Sequence, residues 1–330
     1  MTTKPEPKCH EFCVDDTPYC VYDSGIRDIN EEYLNSINPK FYEFIAQQNS
    51  NILKNNNAEK ESKQFAAILL RNYYSQALET LFALIFATLQ SPNSVLVWML
   101  RYSNYDLYNL VKKVNENQSI KIRFIINEKF SWESVIRIIF DGTPGSETKE
   151  EVIKNFTGLL SSFANDYLDQ NIRSEYNSVK HGFRVRPGGF SATMKSPETG
   201  KDIPLSQSEF GSMFYTEENI KGEKNQYTLR SHALNWNPEN NFYGIHFVSL
   251  LINNLLLYLK RLNNIKTDGL IYKTVSKEQV NLPWGKMSGS ASFSIGFSMK
   301  VELIDPINKD EILSMYHDTN TKDLQTDIHK

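Results

Sequence analysis

A chain of 330 residues, 40% hydrophobic and 12% aromatic, can bury a sizeable core, which excludes wholesale disorder. Three cysteines, all within the first twenty residues, exclude a secreted disulfide scaffold. With 36 basic and 39 acidic residues the net charge is -3, so any contact with nucleic acid must rest on a local patch.

Residues 1–30 are polar and weakly patterned and read as a flexible leader. Acids at Glu6, Glu11, Asp15 and Asp16 interrupt the apolar stretch a signal peptide needs, so the expected location is the cytoplasm. Cys9, His10, Cys13 and Cys20 offer zinc-type ligands, but a structural site normally adds a second close pair. The reading is a reduced tail with no metal and no cofactor.

A helix starts near Pro39 and is weakened by the Asn-rich stretch 49–57. From 61 to 90 apolar residues including Phe65, Leu69, Leu78, Phe82, Ile85 and Leu89 recur at helical spacing, with Ser91 and Pro92 as a stop. Helical patterns follow over 94–100, 105–114 and 131–140, where Ser131 is a cap and Glu133 lies in the first turn. After a Gly/Pro loop at 141–146, helix resumes over 149–168, and a further helix ends near His181 with Gly182 placed to take the left-handed cap.

Between 183 and 236 the pattern changes to short strands, such as 190–194 and 227–234, around Pro187-Gly188-Gly189. Asn237-Pro238-Glu239 then opens a helix that is apolar nearly all round over 242–259. Residues 270–275 and the alternating run 291–301 read as strands, and residues from 306 onward as a polar tail. The apolar runs 81–100 and 245–259 are broken by polar residues and read as buried helices rather than membrane spans.

The expected fold is therefore mainly α, a helical bundle with a β-hairpin-rich insertion and a small β-containing C-terminal extension. Its divisions are a leader at 1–30, a bundle at 31–265 with the insertion at about 183–236, an extension at 266–305 and a tail at 306–330.

One polar constellation stands out. Arg173, Asn177 and His181 recur every four residues and would form one stripe on a helix. Lys180 flanks them, and Arg184 and Arg186 follow, against the single acid Glu175. Such a set suits a phosphate: His181 as general base toward a ribose 2′-hydroxyl, Arg173 as phosphate clamp, Asn177 as orienting group, and Lys180, Arg184 and Arg186 as nucleic-acid contacts. The plainer alternative stays open, in which His181 and Lys180 merely bond the last carbonyls of their helix. Glu79 could face the same site but reads more simply as an exposed acid, His246 reads as a hydrogen-bonded core histidine, and Tyr73, Tyr74, Phe82 and Phe86 as packing.

Long helices with a polar residue shortly before Lys180-His181-Gly182 resemble the HEPN superfamily, helical domains of RNA-cleaving toxins and abortive-infection proteins. The family motif is an Arg, usually a polar residue next, and a His four to six residues beyond the Arg. Here Tyr176 stands before Asn177 where that Arg would be, and Arg173 lies eight positions ahead of His181. The resemblance spans about residues 61–261 outside the insertion. It implies an RNA- or nucleotide-directed protein, in its sharpest form a metal-independent ribonuclease acting on RNA, with a toxin-antitoxin or abortive-infection role, a homodimer, and a cognate antitoxin or defence partner. The departure from the motif leaves open a non-catalytic interaction or dimerisation module.

Overall fold

The computed structural model describes residues 9–14, 17–23, 25–122, 126–140, 149–196, 198–200, 202–219, 226–267, 269–285, 291–302 and 314. The loop expected at 141–146 and, apart from Ser314, the tail expected at 306–330 lie outside the described residues. In chain order the elements are β1 (Cys9–Val14), β2 (Thr17–Asp23), α1 (Ile26–Ser36), α2 (Lys40–Lys54), α3 (Lys60–Gln90), α4 (Val95–Arg101) and α5 (Asn104–Asn115). β3 (Ser119–Ile122), β4 (Ile126–Lys129), α6 (Trp132–Ile139), α7 (Lys149–Leu168) and α8 (Gln170–Lys180) follow. The chain continues with β5 (Val185–Pro187), β6 (Ser191–Lys195), β7 (Asp202–Gln207), β8 (Gly211–Asn219), β9 (Gln226–Asn235), α9 (Pro238–Leu262), a 3-10 turn (Leu282–Trp284) and β10 (Ala291–Glu302).

The fold is mainly α with a β insertion, as the periodicity predicts. α3 and α9 pack against each other at its centre, with α2 against both. Leu81, Phe82, Leu84, Ile85 and Phe86 are all buried, as are Val248, Leu251, Leu255 and Leu256. Burying each such side chain contributes about 1.5–3 kcal/mol. At the α3–α9 crossing, Gly244 is essential: a β-carbon there would lie 2.5 Å from the Tyr74 ring. α9 is long and apolar enough to cross a membrane, yet 72% of its most apolar stretch is buried inside the fold.

The insertion forms an antiparallel sheet in the order β10-β9-β8-β5, with β6 and β7 as a separate hairpin. β10 pairs along β9 from Ala291↔Asn235, so the C-terminal strand completes the insertion's sheet. A second, smaller core of Ala67, Ile68, Val185, Phe214, Leu234 and Trp236 joins that sheet to α3.

Three local readings change. The leader is patterned after all: β1 and β2 pair antiparallel, with Phe12 opposite Cys20, and α1 begins at Ile26. α2 runs unbroken to Lys54, because its asparagines bond along the helix, Asn49 to the Ile45 carbonyl among them.

Residues 270–275 are not a strand. Buried amides of the helices take the place of a neighbouring strand. Asn253 Nδ2 donates to the Ile271 carbonyl at 2.9 Å, Asn254 Nδ2 donates to the Lys273 carbonyl at 2.9 Å and its Oδ1 accepts from Lys273 N at 2.8 Å, and Asn155 Nδ2 donates to the Val275 carbonyl at 2.9 Å. Backbone groups near a core need partners, and here side chains supply them.

Candidate functional site

α8 lies between the helical body and the sheet, touching α3, α7, β5 and β8. Asp169 starts it, its Oδ1 accepting from Asn171 N at 2.8 Å and Ile172 N at 3.0 Å. His181 ends it, and Gly182 and Phe183 both take positive φ, 105° and 52°. That turn lets Phe183 N reach the Val179 carbonyl and Arg184 N the Ser178 carbonyl, satisfying the helix end.

The inner face of α8 carries Glu175, only 1% exposed. Its carboxylate accepts from Arg71 Nε at 2.7 Å, from Trp236 Nε1 at 2.9 Å and from Ser212 Oγ. Arg71 also donates to Asn241 Oδ1 at 3.4 Å and stands over the Trp236 ring. Burial opposes the Arg71 charge, but Glu175, together with Asp166 and Tyr74, more than offsets it, so the guanidinium pKa is raised. Glu175 therefore does not dilute the surface patch, as its place in the sequence suggests; it is withdrawn into the interior with its own cation.

The outer face divides the predicted stripe. Arg173 stacks on Tyr108, 4.0 Å from the ring centroid, and shares a recess with Asn177, Leu78, Glu79, Asp166 and Tyr167. His181 is exposed and does not line that recess. Glu79, expected to be a solvated acid, holds the recess together: Tyr176 Oη donates to its Oε2 at 2.8 Å, and Lys180 Nζ lies 3.4 Å from its Oε1. Burial, and then Glu79, push the Tyr176 phenol far above its ordinary value. Lys180 is thus already paired. Arg184, Arg186 and His181 are exposed, and their side chains have no ion pair or hydrogen bond among the described residues.

His246 departs from its expected place. Its side chain is 47% exposed, with Nδ1 3.3 Å from Glu43 Oε1, so it sits on the surface edge of α9 rather than in the core. Tyr74, Phe82 and Phe86 are packed in the core as expected. The side chains of Cys9, His10, Cys13 and Cys20 lie outside the described residues. Among those described, no group of three His, Cys, Asp or Glu side chains could hold a metal ion.

Sequence reasoning missed a second, larger cavity of about 360 Å³ on the other side of Asp166 and Ile172. Arg71 and Asp166 line it between Trp236 and Trp284. Asp166 Oδ2 accepts from Tyr74 Oη at 2.6 Å and from Trp284 Nε1 at 2.9 Å. Burial raises the Asp166 pKa, against the lowering effect of those two bonds. A signal for it exists in the sequence: Arg71 interrupts the apolar run of α3, and a charge in such a register needs a buried partner.

No protein-family model, curated protein or solved structure matches this chain.

Proposed function

We propose that this protein is RNA-directed, a HEPN-like helical protein that holds RNA phosphates at the basic edge where α8 passes into β5. The observation that carries this reading is the inward turn of Glu175 onto Arg71. It removes the one acid of the segment 173–186 from the surface and leaves His181, Arg184 and Arg186 exposed without an acidic partner among the described residues. Guanidinium groups so placed suit bidentate phosphate contact.

On the finer reading, the protein is a metal-independent ribonuclease of the toxin or abortive-infection type. His181 takes the 2′-hydroxyl proton, and Arg173 and Asn177 hold the scissile phosphate from the adjoining recess. It acts as a homodimer with a cognate antitoxin or defence partner, as the HEPN likeness implies, and in the cytoplasm. The competing reading, a non-catalytic interaction or dimerisation module, is favoured by one observation: Arg173 is seated on Tyr108 and His181 lies outside the recess.

Single-stranded RNA binding followed by anisotropy across a salt series tests the first claim. Replacing Arg184 and Arg186 by Gln should weaken binding and reduce the salt slope by roughly 1.4, about 0.7 for each phosphate no longer neutralised. An unchanged slope and affinity would remove the basic edge. His181→Ala should abolish cleavage with the circular dichroism intact; equal cleavage removes His181 as base, and no cleavage by the unaltered protein favours the module.

A further inference from the structure

The cavity between Trp236 and Trp284 has the makings of a ligand site distinct from the basic edge. At about 360 Å³ it falls within the usual range of small-molecule pockets, roughly 300–1,000 Å³. Its walls are two indoles with Ile172, Leu234 and Pro283, set against a few polar groups.

Several of those polar groups have unused bonding capacity. Asp166 receives both its hydrogen bonds on Oδ2, leaving Oδ1 without a donor among the described residues. Arg71 uses Nε and Nη1, leaving Nη2 without a partner among the described residues. The side-chain amides of Asn171 and Asn240 line the cavity and bond to nothing among the described residues. Asn241, 3% exposed, has a buried Nδ2 with no partner among the described residues. Buried polar atoms normally find partners, so a set left open around one cavity marks where a ligand's polar edge belongs.

The charges decide what kind of ligand. Arg71 is already matched by Glu175, and no second cation among the described residues lines the cavity to offset Asp166 and Asp169, which makes it unfavourable for a phosphate. Free donors and free acceptors stand within one aromatic-walled space, which suits a flat, uncharged ring bearing both kinds of group on its edge. A nucleobase has that chemistry.

We infer that this cavity binds the base of a nucleoside, its face against an indole, an amino group donating to Asp166 Oδ1 and its acceptors meeting Arg71 Nη2 and the asparagine amides. The inference goes beyond the phosphate-binding edge and stands without it, because a free nucleoside carries no phosphate.

Titration of the full chain with free adenosine, cytidine, guanosine and uridine, read by tryptophan fluorescence, provides the test. Two of the four tryptophans wall the cavity, and the other two, Trp98 and Trp132, are core residues that give a constant background. At least one nucleoside should quench saturably. Asp166→Asn should weaken that binding roughly tenfold, the loss expected for one charge-assisted hydrogen bond. Because Asp166 also holds Tyr74 and Trp284, a second variant is needed: Asn240→Phe fills the cavity from a side chain that has no bond to lose. It should abolish quenching with the melting temperature unchanged, while the Arg184→Gln/Arg186→Gln variant should quench as the unaltered protein does. Quenching that survives Asn240→Phe, quenching by inorganic phosphate or free amino acids in place of nucleosides, or no saturable quenching would each overturn the assignment.

Discussion

Removing the Glu175 carboxylate should be among the most damaging single changes to this fold. Glu175→Ala leaves Arg71, whose side chain is 11% exposed, as a cation without its counter-ion, and leaves Trp236 Nε1 and the buried Ser212 hydroxyl without their acceptor. Breaking a buried ion pair from one side costs about 3–5 kcal/mol. With a urea dependence on the order of 3 kcal/mol per molar, the unfolding midpoint should fall by roughly 1–1.7 M. The double variant Arg71→Met/Glu175→Leu removes both charges and should be no less stable than Glu175→Ala, since no uncompensated ion remains. Urea titrations of the three proteins, followed by tryptophan fluorescence and far-ultraviolet dichroism together, provide the comparison. If Glu175→Ala moves the midpoint by less than about 0.3 M, or if the double variant is less stable than Glu175→Ala, the pair is not the clamp described above.

Two further outcomes follow from the same interior. Burial raises the Asp166 pKa above its ordinary 3.8, so its contribution to stability is complete below that value and is lost as pH rises through the folded-state pKa. The stability of the unaltered protein minus that of Asp166→Asn should therefore decline from acid toward neutral pH in urea midpoints taken at intervals; a difference that grows with pH would contradict the burial argument. At the helix crossing, Gly244→Ala would drive a methyl group into the Tyr74 ring and disturb its bond to Asp166. Thermal melting should show a loss of about 1–3 kcal/mol, and an unchanged melting temperature would mean that α3 and α9 separate without penalty.

The helices are legible in the sequence because their signals are local. Ser131 and Asn237 cap where their spacing indicates, with side-chain oxygens accepting from Ser134 N and Glu239 N. The apolar character of the α9 segment on nearly all sides implies its central place. The site is legible only in part, because its sense depends on which face of α8 turns inward. A four-residue period puts Arg173 and Asn177 on one side, and they do share a recess. Nothing in that period reveals that Glu175 meets Arg71 from 104 positions away, or that Glu79 receives Tyr176 from 97 positions away. His246 misleads for the opposite reason: in a helix so apolar it reads as a core residue, whereas the helix keeps one narrow exposed edge. The segment 270–275 has strand-like residues, and its hydrogen bonds are claimed by asparagines distant in sequence.

Those asparagines tie the cavity to the middle of the bundle. Beyond α9 the chain returns as an irregular ribbon, and amides from α7 and α9 hold it at Ile271, Lys273 and Val275 before it reaches the turn bearing Trp284. One wall of the pocket is thus held by side-chain stitches from both helices, with no strand paired to that ribbon among the described residues. Trp284 at its end is pinned in turn by Asp166 of α7, so the width of the pocket is fixed by single side-chain bonds and not by a backbone ladder.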